Sequence, residues 1–361
     1  MKLIVNNKVL QKALKKIGTV VPKKVIVPAL EHIMVTAQGN QLTIKATNLE
    51  VTMFYQLVLN DNASKDDTAL INFHWLKGIS DLHGEEPIFI EALKTYTSVT
   101  TSSGDYRQDA ACKLKEFPVL PEVPETESVE MIPGFVKWLS SASILIDPRD
   151  EFNKWKSSVY LEIINNHLIL TSTNAHQLFT HTFDIESELN RSIMISQTVV
   201  KSLDGFEETK LFLNDDLYAF TSEGVTIISK LPDGKFADYN KLIPIEDPHN
   251  CAIDRVELKD LLDKVKFINP DACSIQTGAD KLTINVKNES GQTAVLHINL
   301  SKSYTGEVME LGINPSDFQL LLTQTDYDTI GLSFQDKRKA FILTNTKDLS
   351  YVGLIMPLMT N

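Results

Sequence analysis

The chain has 361 residues, of which 43% are hydrophobic and 23% charged, with a formal net charge of −12. That is globular composition with room for two or three domains, and no window reaches the roughly 18 apolar residues of a membrane-spanning helix. The opening "MKLIVNNKVL" runs only Leu3, Ile4 and Val5 before Asn6, too short for a signal-peptide core, and Cys112, Cys251 and Cys273 form no CxxC, so reduced thiols in a cytoplasmic setting are expected.

In chain order, "KLIVNNKVLQKALKKIG" reads as a strand running into an amphipathic helix, and "LTIKATNLE" from Leu42 as an alternating strand that reaches an Asn. "ALINFHWLKGISDLH" is a second strand and helix, followed by the alternating run "PIFIEALKTYTSVTTSSG". A linker, "FPVLPEVPETES", holds three prolines and three glutamates. The order then recurs: "EMIPGFVKWLSSAS", "LILTSTNAH" from Leu168, "SIMISQTVVKSLDGF" and "LFLNDDLYAFTSEGVTIISK". After the linker "IPIEDPHN" it recurs once more as "CAIDRVELKDLLDKVKF", "LTINVKNES" from Leu282, "MELGINPSDFQLLLTQT" and "IGLSFQDKRKAFILTNT". The period is about 120 residues, an ordinary domain size. The sequence therefore predicts an α+β chain of three similar domains, 1–125, 126–248 and 249–361, each with two strand–helix–strands halves.

The helix patterns carry uneven charge. The first has Lys8, Lys12, Lys15 and Lys16 with no acid among them, and the next three carry Lys77, Lys137 and Lys201. The fifth offsets Lys259, Lys264 and Lys266 with Glu257, Asp260 and Asp263, and the sixth has no lysine. An acidic protein that keeps several helix faces basic is suited to one polyanion, since lysines contact phosphate without reading sequence. A merely solvated face is the competing reading.

No phosphate loop, GxSxG or HExxH motif is present, the eight histidines are dispersed, and "DNASKDD" lacks the glycine and distal Glu of an EF-hand loop. No catalysis, cofactor or metal is expected. The chain ends on "YVGLIMPLMTN", an apolar strand and proline where polar fraying is usual.

In order and spacing, these motifs resemble those of the bacterial processivity clamps, the β subunit of DNA polymerase III. "VPAL" at Val27–Leu30, "TNLE" at Thr47–Glu50 and "FPVL" at Phe117–Leu120 carry the resemblance, with "LPDGKFADYNKLIP" at Leu231–Pro244 and the terminal "MPLM" at Met356–Met359. The resemblance implies a head-to-tail homodimeric ring, helices lining the hole and sheets outside, that encircles duplex DNA independently of sequence. It implies as partners DNA polymerase subunits, the clamp loader and repair proteins with clamp-binding peptides.

By motif matching, DNA contact falls to Lys24 and to the loop "DPRDEFNKWK", with Arg149, Lys154 and Trp155, beside the helix lysines Lys12, Lys16, Lys77, Lys137 and Lys201. His74 and Thr198 stand where the family is usually basic. A peptide cleft between the second and third domains is implied at Thr173, His176, Gln177, Leu178, Ala237, Lys241, Leu242, Leu354, Met356, Pro357, Leu358 and Met359. Here "TNAHQL" replaces the family's "TDGHRL", so Gln177 replaces an arginine, while Ala237 replaces a proline and Met359 an arginine. Phe267 and Ile268 match the family's dimer contact. The rival reading is a divergent clamp-like scaffold or decoy that binds clamp partners without productive loading on DNA.

Overall fold

The computed structural model describes residues 1–361 except 25–26, 61–62, 64–65, 151, 244–250, 335–336, 348–349 and 359–361. Its elements repeat one order, strand–helix–three strands, six times. The first pass is β1 (Lys2–Asn6), α1 (Asn7–Ile17), β2 (His32–Gln38), β3 (Gln41–Thr47) and β4 (Val51–Val58). The second is β5 (Asp67–Asn72), α2 (Phe73–Leu82), β6 (Pro87–Ala92), β7 (Tyr96–Thr101) and β8 (Gly104–Asp109). The third is β9 (Glu127–Glu130), α3 (Phe135–Ala142), β10 (Ser158–Ile164), β11 (His167–Thr173) and β12 (Gln177–Asp184). The fourth is β13 (Arg191–Ser196), α4 (Gln197–Leu203), β14 (Lys210–Leu213), β15 (Leu217–Ser222) and β16 (Val225–Lys230). The fifth is β17 (Cys251–Asp254), α5 (Arg255–Ile268), β18 (Cys273–Thr277), β19 (Lys281–Lys287) and β20 (Thr293–Asn299). The last is β21 (Glu310–Ile313), α6 (Pro315–Leu322), β22 (Thr329–Ser333), β23 (Phe341–Asn345) and β24 (Tyr351–Ile355).

Two local devices generate the repeat. At the strand-to-helix step an Asn or Asp stops the strand and caps the helix, its side chain accepting a backbone N–H two or three residues on. Asn6, Asn72, Asp254 and Asn314 do this for α1, α2, α5 and α6. At the later hairpin an Asn closes the turn. Asn48 Oδ1 accepts from Val51 N at 2.7 Å, Asn174 from Gln177 N at 2.8 Å, and Asn288 from Gln292 N at 2.9 Å. This is the physical reason the three alternating segments each reach an Asn. The β10–β11 hairpin instead turns through Asn165 and Asn166, both at positive φ, which matches the twist of the strands it joins.

The chain forms two compact units. The first, Met1–Val136 with Thr198–Leu231, holds a four-stranded sheet, β1-β6-β7-β8, and an eight-stranded sheet, β5-β2-β3-β4-β16-β15-β14-β9. In it α1 buries Leu10, Ala13, Leu14 and Ile17, and buried Asn7 donates to the carbonyls of Ser80 and His83 at 2.9 and 2.8 Å, tying α1 to the end of α2. Carbonyls at a helix end need donors from outside, and Gln11 Nε2 joins Asn7 on both, at 2.6 and 3.0 Å, while Ser80 O also accepts from the capping His83 N at 3.3 Å.

The second unit, Lys137–Gln197 with Pro232–Asn361, holds the sheets β13-β10-β11-β12-β24-β23-β22-β17 and β20-β19-β18-β21. Here Gln319 of α6 donates to Asp263 of α5 at 2.7 Å and accepts from Lys266. Each long sheet is joined across the sequence by one antiparallel ladder. Met53 pairs with Ile227 where β4 meets β16, and Leu178 pairs with Leu354 where β12 meets β24. The two compact units therefore take different halves of the middle third of the sequence.

Candidate functional site

The β12–β24 ladder builds an apolar floor. Leu178, Tyr239, Ile342, Val352 and Leu354 are buried together, with Tyr160, Phe236, Ile243 and Ala340 half-buried against them. Phe236 lies parallel to Tyr160 at 4.5 Å between ring centroids, and Tyr239 donates its hydroxyl to the Glu162 carboxylate. Those two contacts fasten the segment after β16 to β10, and that segment carries Ala237 and Leu242. Burial raises the Glu162 carboxyl above its ordinary range, and the Tyr239 hydrogen bond pulls the other way.

The rim keeps its apolar side chains in solvent. Leu242 is 58% exposed, Met356 44% and Leu358 37%. The tail is fixed by its backbone, with Met356 N donating to the His176 carbonyl and Leu358 N to the Gly312 carbonyl, each at 2.9 Å. Pro357, between them, has no N–H to lose. Thr173 is buried, and its hydroxyl donates to the Gln177 carbonyl at 2.6 Å while accepting from Ala175 N. His176 and Lys241 are exposed, and Lys241 pairs with Asp238 at 3.0 Å.

Gln177 sits differently from its neighbours. It is 2% exposed; its Nε2 donates to the Asp317 carbonyl at 2.8 Å and its Oε1 accepts from Asn174 at 3.0 Å. Both ends of the amide are engaged within the fold, so the wall offers no cation here. Asp317 is half-buried, which raises its carboxyl, while nearby His176 acts to lower it. Met359 lies outside the described residues. Sequence motifs alone do not mark Tyr160, Glu162, Phe236, Tyr239 or Asp317 as site residues, although Phe236 and Tyr239 flank Ala237 in "KFADY".

The basic helix face is clearest on α1. Lys8, Lys12 and Lys15 are exposed, on the side away from the buried Leu10, Ala13, Leu14 and Ile17. Lys8 pairs with Glu85 at 2.5 Å. Lys16 is half-buried over the Phe206 ring at 5.1 Å; burial, helped by Lys12 and Lys15, holds its ammonium below the usual range. Lys24, Lys154 and Lys201 are exposed. Other candidates carry a counter-charge: Lys77 pairs with Asp81, Lys137 with Asp326 at 2.9 Å, and Arg149 with Asp147 at 3.1 Å. Trp155 is half-buried, with Lys156 5.1 Å from its ring centroid, and His74 stands exposed on α2.

Phe267, near the end of α5, is 91% exposed and lines a surface cavity with Asp260, Asp263 and Lys264; Ile268 is half-buried. No group of three or more metal-ligating side chains occurs among the described residues, and no described helix is long and apolar enough to cross a membrane.

A family model described as the DNA polymerase III beta subunit, N-terminal domain, matches residues 1–121, and its C-terminal-domain counterpart matches residues 240–359. The chain belongs to the DNA polymerase III beta subunit family. It is 23% identical to the beta sliding clamp of Chlamydia pneumoniae over 99% of each chain. Its fold matches the DNA polymerase sliding clamp of Bacillus subtilis at a TM-score of 0.91 and 16% identity, covering all of both chains. It also matches the Helicobacter pylori beta clamp, described as bound to a DNA ligase peptide, at 0.89 and 17% identity, again over both whole chains. The α+β fold of six strand–helix–strands halves is that of this family. Its function is that of a DNA sliding clamp, a processivity factor of replication rather than an enzyme.

Proposed function

We propose that two copies of this chain close head to tail around duplex DNA and tether partner proteins through the groove at Leu178 and Leu354. The three repeats, 1–125, 126–248 and 249–361, are the domains of that ring. The four-stranded sheets end on β8 and β20, and a strand at a sheet edge offers unpaired N–H and C=O groups to another chain. Phe267, with Ile268 beside it, supplies apolar area for such a contact. A head-to-tail contact that closes after two copies makes a ring, and the work is topological.

The DNA face is assigned to Lys12, Lys16 and Lys24, with Lys77, Lys137, Lys201, Arg149, Lys154 and Trp155 as further contacts. Contacts of lysine to phosphate hold the duplex without arresting sliding, because they read no base edge. As a replication factor the clamp works in the cytoplasm.

The docking reading is carried by one observation: Leu242, Met356 and Leu358 stay exposed at the rim of a buried apolar floor. Such a rim is completed by an apolar segment of a partner. Polymerase subunits, the clamp loader and repair proteins are the partners proposed, and the Helicobacter pylori relative with its ligase peptide supports that class. Removing Met356–Asn361, while keeping β24, should weaken binding of polymerase-derived peptides at least tenfold, as loss of a buried apolar anchor does. Unchanged affinity contradicts the groove. A monomer at micromolar concentration, or no gain in product length with the host's loader and polymerase, contradicts the ring.

A further inference from the structure

The turn between β22 and β23 carries three consecutive exposed cations, Lys337, Arg338 and Lys339. The next residue, Ala340, packs against the groove floor. In the ladder Phe341 pairs with Ile355 and Ile342 with Leu354, so β23 begins at the end of the sheet where Met356 leaves β24. Successive Cα atoms are about 3.8 Å apart, which keeps the backbone of all three cations within roughly 12 Å of Ala340. Their long, flexible side chains extend the reach of the turn beyond its backbone.

The other described charges around the groove are more dispersed, and Lys235, beside Phe236, is a single exposed cation. Lys241 is paired with Asp238, Gln177 is neutral and turned into the fold, Glu162 is bonded to Tyr239, and Asp317 stands with His176 on the α6 side. Among the described residues, the densest run of positive charge at the groove is on this turn, at the end of the sheet where the exposed apolar tail begins.

We propose that the groove takes an apolar peptide segment flanked by acidic residues, with Lys337, Arg338 and Lys339 reading the acidic flank. The proposal rests on the groove being the peptide-docking site. The apolar anchor supplies most of the affinity, and the basic turn supplies preference and orientation. Exposed charge pairs are individually weak and screened by salt, so the preference should be modest and salt-dependent.

The test uses fluorescein-labelled synthetic peptides that share one Leu-Leu-Phe anchor and differ only in flank, Asp-Asp-Glu or Ser-Ser-Gln, placed on either side. Anisotropy titrations compare the full-length chain with the triple variant Lys337→Glu, Arg338→Glu, Lys339→Glu and with Lys339→Gln. The parent should bind one acid-flanked peptide about tenfold more tightly than its neutral counterpart at low salt, and less so as salt rises. The triple variant should lose or reverse that preference while holding the neutral peptide as before; Lys339→Gln should fall between. Equal binding of both flanks by the parent, or the same preference in the triple variant, overturns the proposal and leaves the groove intact. Failure of every peptide to bind, with no effect of removing the tail, overturns the groove and the proposal together. Unchanged peptide binding with loss of retention on duplex DNA would mean that the turn reads nucleic acid, which also overturns it.

Discussion

The side-chain amide of Gln177 donates to the backbone carbonyl of Asp317 at 2.8 Å, tying the start of β12 to the first turn of α6. This residue, expected on the cleft wall, is buried with both ends of its amide bonded within the fold. Gln177→Glu removes the donor and places a carboxylate against a carbonyl oxygen. At pH 8 this should cost about 2 kcal/mol, the scale of a buried polar group left unsatisfied. Burial would raise the new carboxyl in the folded state, so the folded protein binds its proton at higher pH than the unfolded chain. The deficit should shrink as pH falls towards 4, where the introduced carboxyl, once protonated, can donate again. Urea midpoints at the two pH values check this, and a deficit equal at both contradicts it.

Ala175, two residues earlier, has φ of 76°. A side chain in that left-handed region costs roughly 1–2 kcal/mol, and glycine gives part of it back as unfolded-chain entropy. Ala175→Gly should leave the thermal midpoint unchanged or raise it by a few degrees, the shift expected for under about 1 kcal/mol in a domain of this size. Calorimetry decides, and a clear fall contradicts the assigned backbone.

Glu162 tests the fastening of the Phe236–Tyr239 segment. Its folded carboxyl is raised by burial, so stability from this residue is present below the unfolded carboxylate range and lost as pH rises through the folded value. Glu162→Gln keeps an acceptor for Tyr239 and removes the titration. The stability difference between variant and parent should move in favour of Gln from pH 4 to pH 7. A difference independent of pH would mean that Glu162 ionises in the fold as it does in water.

Replacing Lys12 and Lys15 of α1 with alanine should shorten residence on primed circular DNA at low salt and leave peptide binding in the groove unchanged. If both lysines meet phosphate, the salt dependence should fall by roughly one unit of log–log slope for each. Single-molecule residence times measured across a salt series would show it; unchanged residence removes α1 from the DNA face.

Much of the fold was legible because its signals are local. Alternation marked the strands and the lysine and leucine spacing marked α1; the caps Asn6, Asn72, Asp254 and Asn314, not singled out from the sequence, are local signals of the same kind. The strand partners β4–β16 and β12–β24 were not legible, since residues such as Leu178 and Leu354 are far apart in sequence and no local pattern states which edges meet. Motif order pointed to Leu178, Leu354 and Met356, and the first two share one buried apolar cluster while Met356 is exposed. The inward turn of Gln177 was not legible, because it depends on where α6 places the Asp317 carbonyl. The apolar tail that stood out in sequence is held by two backbone bonds, Met356 to His176 and Leu358 to Gly312, while its Met356 and Leu358 side chains stay exposed.

The most direct test of the ring is topological. The chain is loaded by its host's clamp loader onto a nicked circular DNA, free protein is removed, and the bound protein is counted before and after the circle is cut once. A ring that encircles without gripping should stay on the circle and leave within minutes of linearisation. Protein that remains on the linear DNA, or never resists dilution on the circle, would contradict encirclement.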